Sequence, residues 1–106
     1  MKLGFPQYLV AHACFACRKS FKLAPRPQSQ ATCPSCGATA FEMGRSFKAP
    51  PMSDREQWEK VRRLYDAGFR FSSYRSHDGP AMPRTLAEVD AFIALNPNHP
   101  ARVRNV

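Results

Sequence analysis

Apolar and polar residues change rhythm near residue 50. Before that point, apolar positions come in short runs cut by turns and prolines. Tyr8, Leu9, Val10 and Ala11 form a first run with strand character. In segment 18–23, Phe21 and Leu23 stand two apart, on one face of an extended chain. Pro25 and Pro27 interrupt the polar stretch 25–30, which reads as a loop. Segment 39–47 predicts a further strand, with Phe41, Met43 and Phe47 as its apolar contacts.

After residue 50 the period becomes helical. Pro50 and Pro51 favour an extended linker over residues 48–52. Ser53 and Glu56 have the spacing of a capping box. Trp58, Val61, Leu64 and Tyr65 then form one apolar stripe on a helix over residues 54–67. Glu56/Lys60 and Glu59/Arg63 are i,i+4 pairs with the acid first, each contributing about 0.3–0.5 kcal/mol. Gly68 is placed to stop the helix. Phe69, Arg70, Phe71 and Ser72 alternate, which predicts a half-buried strand with the arginine outward. His77-Asp78-Gly79-Pro80 reads as a turn. Thr85 and Glu88 form a second capping box, followed by a helix with Leu86, Val89, Phe92 and Ile93 on its apolar face. Residues 98–106, with Arg102 and Arg104, are expected to be a mobile basic tail, and His99 within them has no expected role.

The pattern therefore predicts an α+β protein. Strand hairpins occupy residues 1–49, and a helix–strand–helix segment with the tail occupies residues 50–106. The helical stripe is expected to pack with Phe71, Phe92 and Ile93, and against the hairpins. Neither half alone can bury a sizeable core.

The composition sharpens this. With 106 residues and ten prolines, the margin over chain entropy is thin, and a metal clip is the supplement such a chain needs. Hydrophobic content of 43% excludes a disordered tail. No run approaches the ~18 apolar residues of a membrane helix. Residues 3–13 are too short and interrupted, by Pro6 and Gln7, for a secretion signal.

Four cysteines supply the chemistry. Cys14/Cys17 and Cys33/Cys36 are two C-x-x-C pairs separated by fifteen residues. That spacing points to one structural Zn²⁺ held by four thiolates. Two intervening residues allow a tight turn to aim both sulfurs of a pair at one point, and backbone amides in the turn can donate to them. Gly37 supplies permissive backbone after Cys36. Buried free cysteines or a redox pair are the alternatives, but neither pair opens a helix after a strand, as a thioredoxin-like motif would. His12, two before Cys14, is read as a bystander or a donor to a sulfur, since four cysteines complete the site. C-x-x-C pairs of this kind belong to reducing compartments, so the expected location is cytoplasmic.

Cys14-Phe15-Ala16-Cys17 and Cys33-Pro34-Ser35-Cys36-Gly37 resemble the two knuckles of the zinc-ribbon, rubredoxin-like class, over residues 9–47. The second knuckle matches the C-P-x-C-G form. In the first, Phe15 replaces the proline and Arg18 the glycine, which with the short spacing disfavours an iron rubredoxin. The whole chain looks like small bacterial zinc-ribbon proteins without an assigned function. Nickel chaperones also carry such pairs, but they place a histidine where this chain has Lys2.

Charge bears on partners. Residues 1–50 carry seven basic and one acidic side chain, and residues 51–106 carry nine and seven. The basic excess thus sits on the cysteine-bearing half and outlasts the −2 of a zinc tetrathiolate. A basic surface favours polyanions. Lys19, Lys22 and Arg26, with no acid nearby, are the candidate nucleic-acid contacts. No nucleophile–base pair, phosphate-cradling loop or paired carboxylate is visible, and four thiolates leave zinc no open position for catalysis. The expected function is a non-enzymatic zinc module contacting RNA, the ribosome or DNA. A protein-interaction adaptor and a thiolate redox or metal sensor are the alternatives.

Overall fold

The computed structural model describes residues 9–24, 30–45, 47–71 and 81–102. Four strands, β1 (Val10–Cys14), β2 (Lys19–Leu23), β3 (Gln30–Thr32) and β4 (Thr39–Gly44), precede two helices, α1 (Arg55–Asp66) and α2 (Val89–Leu95). The chain is α+β, with strands first and helices after.

All four strands join one antiparallel sheet in the order β2-β1-β4-β3. β1 pairs with β2 from Val10↔Leu23 to Cys14↔Lys19, and β3 pairs with β4 from Gln30↔Phe41 to Thr32↔Thr39. Each cysteine pair therefore lies at the tip of a hairpin. β1 and β4, at the centre, bring the two tips side by side. Every residue of β1 is buried, as expected of a central strand covered on both faces. Alternation sends Ala11 and Ala13 into a core with Met43, Phe47, Trp58 and Val61, while Cys14 joins Cys33 and Ala40 in another cluster.

α1 forms where the stripe places it. Its N-cap is Asp54 rather than Ser53: the Asp54 carboxylate accepts from the Gln57 amide at 3.1 Å. The turn after the prolines decides this, because the Asp54 amide is already bonded to the Pro51 carbonyl at 2.9 Å. At the other end Gly68 adopts φ 99°. The Phe69 amide bonds to the Leu64 carbonyl and the Gly68 amide to the Tyr65 carbonyl, both at 2.9 Å, which is a Schellman stop. Leu64 and Phe69 then share an apolar cluster with Ala67 and Val89, backed by Met82, Leu86, Phe92 and Ile93. The Thr85–Glu88 pairing forms as expected, with the Glu88 carboxylate accepting from the Thr85 amide at 3.1 Å and opening a short 3-10 turn into α2.

Two expectations change. The strand expected at residues 69–72 reduces to a single antiparallel bridge, Phe69↔Arg102; Ser72 lies outside the described residues. The amides of Phe69, Arg70 and Phe71 bond to Leu64, Ala101 and Met43 respectively, so three elements divide the partners and no ladder forms. The tail is not free through Arg102. His99 is buried against the rings of Phe69 and Phe92, with centroids 5.6 and 5.4 Å away, and Arg102 donates to the Ala67 carbonyl at 2.8 Å. Apolar contact and a satisfied carbonyl at the helix end outweigh the entropy of a loose tail. Residues 103–106 lie outside the described residues.

Gly44 is where the helical half meets the sheet. It sits at φ 114°, and a β-carbon there would lie 2.3 Å from the Phe71 carbonyl oxygen. Only glycine allows both the conformation and that approach. Gly44→Ala is expected to destabilise the protein by more than about 1 kcal/mol. That corresponds to a melting point lower by roughly 4–8 °C or more in a domain of this size. Thermal melts read by circular dichroism check this; an unchanged melting point would contradict the close approach.

Candidate metal centre

The knuckles are built by local backbone chemistry. In the second, the Gly37 amide bonds to the Cys33 carbonyl at 2.9 Å and the Cys33 amide to the Ala38 carbonyl at 2.7 Å. Gly37 takes φ 82° with open space around its missing β-carbon, so conformation rather than crowding requires glycine here. In the first knuckle Arg18 adopts the same left-handed region, φ 55°, at the position where the family pattern has glycine. Its Nε donates to the Met52 carbonyl at 2.7 Å, tying the knuckle to the segment before α1.

These turns bring all four cysteines together. Their Sγ atoms lie within 4.8 Å of one another, and can hold a metal ion. The shortest recorded separations cross between knuckles: Cys14–Cys36 at 3.5 Å and Cys17–Cys33 at 3.8 Å. Both are far beyond a disulfide bond of ~2.05 Å, and all four cysteines are free. Four thiolates each ~2.3 Å from one ion would stand about 3.8 Å apart along a tetrahedral edge. The donor set fits a tetrahedral tetrathiolate. Cys14 and Cys33 are buried, Cys17 is half-buried and Cys36 faces solvent.

Hydrogen bonding favours thiolate at one corner. Burial opposes ionisation of Cys33, but the amides of Cys36 and Ser35, with the thiols of Cys17 and Cys14, outweigh it and bring the group down to about 7. The Ser35 amide lies 3.3 Å from the Cys33 sulfur. Cys17 moves the other way: burial first, then its neighbours Cys14, Cys33 and Cys36, push it up to about 12. Without a metal the cluster is therefore largely protonated, and an incoming divalent ion must displace protons.

The other expected site residues are placed as follows. Lys19 pairs with Cys14 across the hairpin, and its ammonium donates to the Ser35 hydroxyl at 2.9 Å, bridging the knuckles. Lys22 is exposed on β2, an edge strand. Arg26 lies outside the described residues, as do His77 and Asp78. His12 is fully buried on β1, with Nδ1 3.0 Å from the Val10 carbonyl and no partner for Nε2 among the described residues. It does not join the metal-ligating group. Arg70 stacks on Tyr65, its guanidinium 3.7 Å from the ring centroid, and donates to the Tyr65 and Phe69 carbonyls, a structural role.

Sequence reasoning missed Phe15. Placed between the first two cysteines, its ring packs 6.0 Å from both Trp58 and Tyr65 and 5.9 Å from Phe41. An aromatic residue at the tip of a polar turn was the available signal. It makes the metal knuckle part of the core that α1 covers. Among the described residues, no helix is long and apolar enough to cross a membrane. Compared with known proteins, the chain matches no family model, no curated protein and no solved structure. The metal centre is thus argued from the geometry of its own sulfurs.

Metal loading should depend steeply on pH. As pH falls through about 7, Cys33 takes up a proton that the ion must then displace as well. Apparent affinity, measured against a competing chelator, is expected to fall more than about tenfold per pH unit below that point, because more than one proton leaves per ion. Affinity independent of pH would contradict thiolate ligation.

Proposed function

We propose that this protein is a non-enzymatic module in which one structural Zn²⁺ fixes a zinc ribbon that contacts nucleic acid. The observation that carries the zinc reading is the set of sulfur separations: 3.5 and 3.8 Å across the knuckles, the spacing of a closed tetrahedral site. Zinc prefers this all-thiolate, four-coordinate geometry and carries no redox chemistry of its own. Cys14, Cys17, Cys33 and Cys36 would be its ligands. With all positions filled by protein, the ion has no place for substrate, and its chemistry is structural. Redox use of either C-x-x-C is disfavoured, because both pairs sit at hairpin tips rather than at a helix start.

Nucleic acid is the partner that the charge supports best. The formal net charge is +8, and Lys19 and Lys22 place ammonium groups on the outer strand beside the metal. Phosphate contact by such groups releases counterions and is sequence-independent at first order. A cytoplasmic location accords with reduced thiols.

Two measurements test the reading. Native mass spectrometry of protein purified without added metal should show one zinc per chain, and X-ray absorption should show four sulfurs at ~2.3 Å. Iron, or two disulfides, would overturn the zinc reading. Binding of labelled RNA and DNA should weaken steeply between about 50 and 200 mM salt, and Lys19→Ala with Lys22→Ala should weaken it further. No binding of either polymer at low salt would overturn the nucleic-acid reading in favour of a protein partner.

A further inference from the structure

Away from the sulfurs, cationic side chains converge on a cleft of about 250 Å³ between the first knuckle and α1. Its walls are Phe15 and Arg18 from the knuckle, and Arg55, Trp58, Glu59 and Arg62 from the helix. The four helix positions follow the spacing of a single face, so the arginines point where the aromatic pair points. Three guanidinium groups against one carboxylate is a large local imbalance. Glu59 does not neutralise them alone, because it also pairs with Arg63 at 3.2 Å. Asp66 meets Arg62 at 3.6 Å, with both groups largely exposed, where such pairs are weak and easily exchanged. The Arg55 side chain has no ion-pair or hydrogen-bond partner among the described residues.

Two of the three arginines are held ready. Arg18 is fixed through its Nε to the Met52 carbonyl, which leaves its outer amino groups to reach a ligand. Arg62 lies over the Phe15 ring at 5.2 Å, which orients the guanidinium without consuming its donors. The backbone at Arg18 is left-handed, a conformation glycine adopts without strain. A long cationic side chain at that position is explained by what it reaches. Arg18 is followed directly by Lys19, whose ammonium continues the positive path toward the second knuckle.

We propose that this cleft seats a backbone phosphate of a nucleic-acid strand, with Arg18, Arg55 and Arg62 as its donors. The proposal rests on the nucleic-acid reading above and assigns it a site. Planar guanidinium forks match phosphate oxygens two at a time, which single ammonium groups cannot do. The wall of Phe15 and Trp58 lowers the local dielectric and strengthens each contact. The seat adjoins Lys19 and would extend the contact surface from the sheet edge onto α1.

The test uses the full-length, metal-loaded protein and a labelled single-stranded oligonucleotide of about twelve residues, as RNA and as DNA, followed by fluorescence anisotropy. Arg55→Gln with Arg62→Gln removes two donors from exposed helix positions. The control, Arg63→Gln with Arg84→Gln, removes the same charge outside the cleft. The cleft variant is expected to bind at least about tenfold more weakly. Its salt slope should fall by about 1.4, two phosphate contacts at ~0.7 each on a single strand. The control should change affinity less than about threefold, and both variants should melt like the parent. If the parent binds and the two variants weaken equally, the cleft is not the seat, while the nucleic-acid reading stands. If the parent binds neither polymer at low salt, that reading fails and takes this site with it.

Discussion

Two hairpin tips, each carrying two sulfurs, must meet at one point, and the rest of the chain is arranged around that requirement. β1 and β4 lie next to each other at the centre of the sheet, which sets the tips side by side. The strands are three to six residues long, and β3 holds only three. A sheet of such short strands gains little from pairing alone. Four thiols packed within 4.8 Å, one raised to about 12 by burial and its neighbours, contribute little cohesion themselves. A divalent ion reverses the sign of that contact. It replaces mutually crowding thiols by four metal–sulfur bonds, and the Ser35 amide beside Cys33 then faces a thiolate it can stabilise.

The metal's influence reaches the helical half through Phe15. The ring leaves the first knuckle and enters an aromatic group with Phe41, Trp58 and Tyr65. Trp58 in turn donates its indole N–H to the Pro50 and Pro51 carbonyls at 3.2 and 3.1 Å, and Arg18 holds the Met52 carbonyl. The proline segment between sheet and helix is thereby pinned from both sides. Gly44 adds a third tie, where the backbone of Phe71 lies against β4. These contacts align one face of α1 with the first knuckle and create the arginine-lined cleft between them.

The features legible in sequence are those fixed by local chemistry. The cysteine spacing specified the metal site because two-residue knuckles have few geometries. The stripe of Trp58, Val61 and Leu64 specified α1, and Gly68 its end, because both depend on helix period and left-handed backbone. The N-cap shifted from Ser53 to Asp54 because both residues can cap and a distant carbonyl, Pro51, made the choice. Alternation at Phe69–Phe71 indicated extended backbone but not which elements would take its amides. His99 was unreadable in its proline-flanked context, since only the fold brings Phe69 and Phe92 to it. Arg55, Trp58, Glu59 and Arg62 share a helix face in plain view, yet their partner Arg18 stands more than thirty residues away.

Magnitudes decide how much depends on the ion. A structural zinc site contributes apparent binding free energy of about 10–16 kcal/mol at neutral pH, against a total stability of about 5–15 kcal/mol for a typical domain. The metal-free chain should therefore fail to hold its sheet. The direct measurement is titration of the purified protein with a strong chelator, reading released metal, sheet signal by circular dichroism and the fluorescence of Trp58, the single tryptophan. One divalent ion per chain should leave as the sheet signal collapses and Trp58 becomes solvent-exposed in the same transition. A chain that gives up its metal and keeps the same melting curve, or has none to give up, would contradict the account.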